Sequence, residues 1–419
     1  GIDMSKRGGK KRRYTGLLVF LIVVLVLCSV SIIVLGILLY QKKVLADRGP
    51  SLPQIQSSVS TEETTKEMST EAVIDEMTSQ TEESVETASD TASDTAVQAL
   101  EKPENPDAII DLSTTLYSYQ KMENDLQLLA GYYPQYMTLD TAGVTADGRN
   151  LYVIYFGNQN ASRQIFICAA THAREYMTAQ LVMKQLEYYC AHYEDGSYNG
   201  TAYRDIFENT CFVIVPMVNP DGVSISQFGE EGLNREDLRQ NLRAIYESDK
   251  NGGYTDEAYD TYLTRWKANG MGVDLNRNYS PGWESVTDRT APSSGLYKGT
   301  QPGSEAESQA LMNIVDGLSN PLLAISYHSY GSLVYWQYGQ AEPLWSKNQQ
   351  LAAHVEALTT YYQAGYSNEA GFSNWCVNVK GIPSVTIETG LVPTPLPLDQ
   401  FELLWSQNKE MWAMLGTTY

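Results

Sequence analysis

Gln164-Ile165-Phe166-Ile167-Cys168-Ala169-Ala170-Thr171-His172-Ala173-Arg174-Glu175 starts as an unbroken apolar run and ends in a polar turn carrying a histidine and a glutamate. An apolar run of this length without polar alternation reads as a strand covered on both faces. From Glu175 to Tyr189 the apolar positions Met177, Leu181, Met183 and Leu186 follow helical spacing. Working outward, Leu151–Tyr155, Thr210–Val215, Leu322–Tyr327 and Ser384–Ile387 read as further strands, and Leu116 leads into a helix bearing Met122, Leu126, Leu128 and Leu129. Strands alternating with helices predict an α/β domain whose mixed, mostly parallel sheet is covered by helices on both faces. No internal repeat is visible.

The chain has only four histidines. His172 and His328 both stand where a strand runs out, in Thr171-His172-Ala173-Arg174-Glu175 and Ser326-Tyr327-His328-Ser329-Tyr330. Open α/β sheets place their sites at the carboxyl ends of strands. Two imidazoles and one carboxylate, with water completing the coordination, make a catalytic zinc set. His172 and Glu175, three apart at a turn into a helix, can face one point, and His328 would close the set from a neighbouring strand. An H-x-x-E pair alone recurs by chance in many proteins. His192 and His354 lie on helix-like stretches without an acidic partner at ligand spacing.

Four stretches then act together. His172-Ala173-Arg174-Glu175, Gly272-Val273-Asp274-Leu275-Asn276-Arg277-Asn278, His328-Ser329-Tyr330 and Thr386-Ile387-Glu388-Thr389-Gly390, with Asn219-Pro220-Asp221-Gly222 between the first two, make the chain resemble the M14 family of zinc carboxypeptidases from about Leu116 to the C-terminus. The resemblance implies one zinc ion per domain held by His172, Glu175 and His328. It implies Glu388 as the general base acting on zinc-bound water, Asn276 and Arg277 as the clamp on the substrate's terminal carboxylate, and Arg174 as a groove contact further from the cut. Asp274 would orient His172 through its other ring nitrogen. Tyr366, nine positions before Trp375, which itself stands thirteen before Glu388, matches the mobile tyrosine that closes over that carboxylate.

The chain departs from the family pattern at two places. Where the family has an oxyanion-stabilising arginine after a tryptophan, the chain has Trp266-Lys267, which keeps the charge but not the planar fork; the adjacent Arg265 could substitute. Ser373 falls near the position that selects the substrate side chain, and a small polar group there favours neither an aromatic nor a basic residue. The polar stretch Gly229 to Gly270 does not align with the pattern.

The charge distribution locates the chain. Its formal net charge of −21 argues against nucleic acid as a partner. Residues 1–50 nonetheless carry nine Lys/Arg against two Asp. This basic cluster sits before an uncharged run from Thr15 to Tyr40, long enough to cross a bilayer core of ~20 apolar residues. The positive-inside rule then predicts a cytoplasmic tail over 1–14, a transmembrane signal anchor over 15–40 and an extracytoplasmic remainder. A cleaved signal peptide is the alternative, with Val44-Leu45-Ala46 as a weak cleavage pattern, but the run exceeds the usual ~7–15-residue apolar core. Between 51 and 105 stand thirteen acids and two lysines among Ser and Thr, so residues 41–106 read as a disordered stalk and 107–419 as the zinc carboxypeptidase domain. Five cysteines form no C-x-x-C pair, and Cys168 and Cys211 read as buried thiols.

The expected activity is hydrolysis of a C-terminal peptide bond. Arg277 implies a free substrate carboxylate, and an outward-facing location at a bacterial-type cell surface brings peptidoglycan stem peptides within reach. An M14-like amidohydrolase, or a DL-endopeptidase on cell-wall peptides, shares the metal chemistry. A non-catalytic surface binding protein is the reading from another class.

Overall fold

The computed structural model describes residues 104–367 and 369–419. The basic tail, the apolar run 15–40 and the stalk up to residue 103 lie outside the described residues. Among the described residues no helix is long and apolar enough to cross a membrane.

The strands are β1 (Met137–Val144), β2 (Asn150–Gly157), β3 (Gln164–Ala169), the short hairpin β4 (Ser197–Tyr198) and β5 (Thr201–Ala202), β6 (Cys211–Val215), β7 (Pro321–Ser329), β8 (Leu333–Tyr335), β9 (Tyr362–Gln363) and β10 (Ser384–Thr389). Eight of them form one sheet in the order β1-β2-β6-β3-β7-β10-β8-β9. Its centre, β6-β3-β7-β10, is parallel throughout. Pairing turns antiparallel outward at β2/β6, β1/β2 and β10/β8, and the rim pair β8/β9 is parallel. The mixed α/β architecture read from the sequence is the one observed.

The central strands look uniformly apolar because each face has its own cover. Ile165, Ile167 and Ala169 of β3 pack with Leu181, Met183 and Leu186 of the helix Met177–Ala191 and with Trp412 and Leu415 of Met411–Thr418. The alternate residues Phe166 and Cys168 face Phe372 and Trp375 of Phe372–Asn378, and Leu311 and Val315 of Ala306–Gly317. Each Ile, Leu, Val, Met or Phe among these side chains, fully buried, contributes ~1.5–3 kcal/mol. The sheet is therefore rigid where β3, β7 and β10 end together. All four cysteines among the described residues are buried, as Cys168 and Cys211 were expected to be.

The polar stretch 229–270 is ordered by a third apolar cluster. The helix Glu236–Asn251 buries Leu238, Leu242, Ile245 and Tyr246 on one stripe against Tyr262, Leu263 and Trp266. Its outer face is charged, which masked the stripe. Arg149 fixes the start of this region, bridging the buried carboxylates Asp147 and Asp221 and donating to the Gly232 carbonyl.

Candidate active site

β3 ends at Ala169, and a single turn of 3₁₀ helix, Ala173–Glu175, brings His172 and Glu175 to the same side. The Asn219-Pro220-Asp221-Gly222 turn holds this segment. Asn219 accepts from Gly222 N at 3.0 Å, capping its own helix, while its side-chain amide donates to the carbonyls of Thr171 (3.1 Å) and Ala268 (3.0 Å). A Cβ at Gly222 would stand 2.4 Å from the Ala268 oxygen and 2.6 Å from the Asn219 side chain, so only glycine fits. The histidine turn and the Trp266-Lys267-Ala268 segment are thus stapled together; Ala173 N also donates to the Lys267 carbonyl at 3.1 Å.

His328, on β7, completes a buried cluster. Its Nδ1 lies 3.0 Å from Glu175 Oε2 and 3.1 Å from His172 Nδ1, while His172 Nδ1 lies 2.8 Å from Glu175 Oε1. His172, Glu175 and His328 are 5 %, 4 % and 1 % exposed, so no bulk water screens them. His172 Nε2 faces Asp274 Oδ1 at 3.2 Å. When that nitrogen donates to Asp274, Nδ1 must present a lone pair to the carboxylate and to the second imidazole. Three lone pairs converging in a dry pocket repel unless a cation sits among them. Donors ~2.0–2.1 Å from a tetrahedral zinc ion stand roughly 3.3–3.4 Å apart, within a few tenths of an ångström of these separations. The donor set therefore fits zinc.

The surrounding charges are arranged to keep this set ionised. Burial opposes ionisation of Glu175, but the two imidazoles hold its carboxyl well below the usual range. Asp274 is also driven down against burial, by Lys267 first and then His172; it takes the Lys267 ammonium at 3.0 Å and the backbone amides of Asn276 and Leu296. For His328, burial opposes the charged form and Glu175 raises the pKa above its ordinary value.

Glu388 lies on β10 in direct register with His328 of the parallel neighbour β7, one strand spacing of about 5 Å away. It is half-buried. Burial pushes its carboxyl up to about 8, with Glu175 and Glu369 adding to the rise against His328 and Lys267.

The remaining expected residues divide. Lys267 faces the cluster through Asp274. Arg265 is turned outward to Glu257, so it does not substitute for Lys267; it offers only its carbonyl, to Arg174 Nη1 at 3.2 Å. Ser373 is buried, and its hydroxyl accepts from Thr386 Oγ1 at 3.0 Å. Tyr366 is 52 % exposed, pairs with Gln337 on the sheet rim and has Gly339 beside its ring. Among the described residues no hydrogen bond joins it to Arg277 or to the ligand set. His192 is engaged by Asp107 and Asp195, and His354 by Tyr419, all away from the site.

Arg277 departs most from the expectation. Its guanidinium is buried, and its fork is occupied by a carboxylate of the chain itself: Nη2 donates to Glu369 Oε1 at 2.9 Å, and Nη1 stands 2.8 Å from Oε2. Asn276 Nδ2 donates to the same carboxylate at 3.3 Å. The two groups expected to clamp a substrate carboxylate are thus clamping Glu369. Sequence reasoning missed Glu369, because its partner lies 92 positions away and no local pattern marks it.

Residues 122–411 match the family described as zinc carboxypeptidase, peptidase M14. The chain is 27% identical to the gamma-D-glutamyl-L-diamino acid endopeptidase 1 of Lysinibacillus sphaericus over 70% of this chain and 70% of that protein. It is 26% identical to carboxypeptidase B of Astacus astacus, over 66% and 86%. In fold it is similar to the crystal structure of carboxypeptidase A from Helicoverpa armigera, with a TM-score of 0.51 and 18% identity over 73% of each chain.

Proposed function

The chain belongs to the zinc carboxypeptidase family of M14 peptidases, and from that premise we propose that it hydrolyses a peptide bond next to a terminal residue of a peptide, with His172, Glu175 and His328 holding the ion. The observation that carries this reading is the meeting of two imidazole nitrogens and one carboxylate within 3.1 Å of one another, with Glu388 in register beside them. Zinc so held supplies a Lewis acid and lowers the pKa of its water towards ~7.

In the proposed mechanism each remaining step falls to a residue of the chain. Glu388 takes the proton of the attacking water and returns it to the departing amine nitrogen. Lys267 offers positive charge to the oxygen that becomes anionic, without the fork an arginine would bring. Asp274 fixes the ring and tautomer of His172. Asn276 and Arg277 orient the terminal carboxylate once Glu369 yields to it, Tyr366 closes over it from the rim, and Arg174 contacts substrate further from the cut. Ser373, its hydroxyl held by Thr386, leaves the side-chain pocket without a charge of its own.

We assign the domain to the outer side of a cell membrane, anchored through residues 15–40 and spaced by the acidic stalk. The basic residues before that apolar run support this orientation. The substrate class we assign is the peptide of a bacterial cell wall; the Lysinibacillus relative is named for a gamma-D-glutamyl-L-diamino acid bond. Mass spectrometry of a muropeptide mixture treated with the domain, before and after chelation, tests the assignment. Release of a terminal residue that stops on chelation is expected, and turnover indifferent to chelation contradicts it.

A further inference from the structure

We propose, resting on the zinc-peptidase reading above, that Glu369 is a specificity-determining residue that adapts the carboxylate clamp to a terminal diamino acid, one offering its carboxylate to Arg277 and a side-chain ammonium to Glu369. Glu369 is placed by its backbone. Its carbonyl accepts from Asn374 Nδ2 at 3.0 Å and from Gly371 N at 2.7 Å, and the next carbonyl, of Ala370, accepts from Tyr279 N at 2.9 Å. Gly371 lies so close to Asn276 that a Cβ there would stand 2.3 Å from Asn276 Oδ1, an oxygen that also accepts from Phe372 N at 3.3 Å. The segment is therefore pinned against the clamp. The Glu369 side chain remains 44 % exposed, on the open side of the pair, while the Arg277 side chain is 9 % exposed.

The charges decide what such a site accepts. Arg277 is neutralised by Glu369, so the pair offers an incoming carboxylate no net attraction. A substrate carrying a carboxylate alone must break both Arg277–Glu369 contacts and leave two carboxylates side by side, with Asp274 behind them. A terminal residue that also carries an ammonium returns a partner to Glu369 as it takes Arg277, so every charge stays paired. Ser373 does not supply that partner, because its hydroxyl is neutral and accepts from Thr386. A hydrogen bond to a charged group discriminates by roughly 10- to 100-fold.

The test uses zinc-loaded protein and three peptides that differ only in the last residue: norleucine, lysine and meso-diaminopimelate. The parent is expected to show a kcat/KM about 10- to 100-fold higher for the ammonium-bearing peptides, and the two of these separate a lysine-type from a diaminopimelate-type substrate. Glu369→Gln keeps the size and can still accept from Arg277; in it the norleucine peptide is expected to gain, the other two to lose, and the ratio to fall towards one. An unchanged ratio, an equal gain for all three, or a parent preference for norleucine would overturn the proposal. If the parent hydrolyses none of them, the peptidase reading itself falls. Calorimetry with N-acetyl-lysine against N-acetyl-norleucine then still decides the role of Glu369, since only the parent should prefer lysine; equal affinities overturn it.

Discussion

Replacing Asp274 by asparagine separates a metal-tuning role from a structural one. Asp274 is fully buried, and its two oxygens receive His172 Nε2 at 3.2 Å, Lys267 Nζ at 3.0 Å and the amides of Asn276 and Leu296 at 3.1 and 3.0 Å. An Asn side chain fits the space but offers one accepting oxygen in place of two and no charge. Two effects follow. Losing the group that orients a metal-binding histidine typically costs 10- to 100-fold in metal affinity, ~1.4–2.7 kcal/mol. Breaking a buried ion pair costs about 3–5 kcal/mol of stability, and the lower end applies because the Lys267 side chain keeps 17 % exposure. Zinc affinity by competition with a chromogenic chelator and denaturant unfolding with and without zinc resolve the two. The account predicts a loss in both, with zinc stabilising the variant less than the parent. A variant that unfolds more easily yet binds zinc within twofold of the parent would refute the claim that Asp274 acts on His172, leaving it only as the counter-ion of Lys267.

Three further outcomes are expected. Glu388→Gln should keep its zinc by metal analysis and lose turnover by ~10² or more; a near-parental rate would remove Glu388 from proton transfer. Glu307 is buried beside Asn269 and Glu305, and burial, then Asp221 and Glu305, push its carboxyl up to about 8 from an ordinary value of 4.5. Because the folded-state value is the higher one, its stabilising contribution is complete below about pH 4.5 and is lost as pH rises through 8. Glu307→Gln should therefore gain on the parent between pH 5 and pH 9, by at most about 5 kcal/mol, and parallel pH–stability curves would contradict this. Gly222→Ala should force Asn219 off the Thr171 and Ala268 carbonyls and weaken zinc binding as well as stability, measured by the same chelator competition; unchanged affinity would show that the staple does not position His172.

The sheet centre was legible because its strands are buried on both faces and read as continuous apolar runs. The edges were not. β1 buries only Met137 along Met137–Val144, while β8 and β9 have three and two residues, too short for a period to show. The helix Glu236–Asn251 carries a helical apolar stripe, but its charged outer face left the segment reading only as polar and unaligned with the family pattern. Within the site, the meeting of His172, Glu175 and His328 and the nearness of Glu388 were legible because each sits in a short motif at a strand end. The pairing of Arg277 with Glu369 was not, since it joins two segments that only the fold brings together. Arg277 alone implied an open carboxylate clamp; the partner supplied by the chain changes what that clamp can select.

The direct test of the central claim is the zinc content of the purified domain and of its His328→Ala variant, set beside the turnover of each. One ion per domain in the parent, with ion and activity lost together in the variant, is the predicted result. A parent that is active without zinc, or a variant that keeps its full complement, would contradict the assignment of His172, Glu175 and His328 as the metal centre.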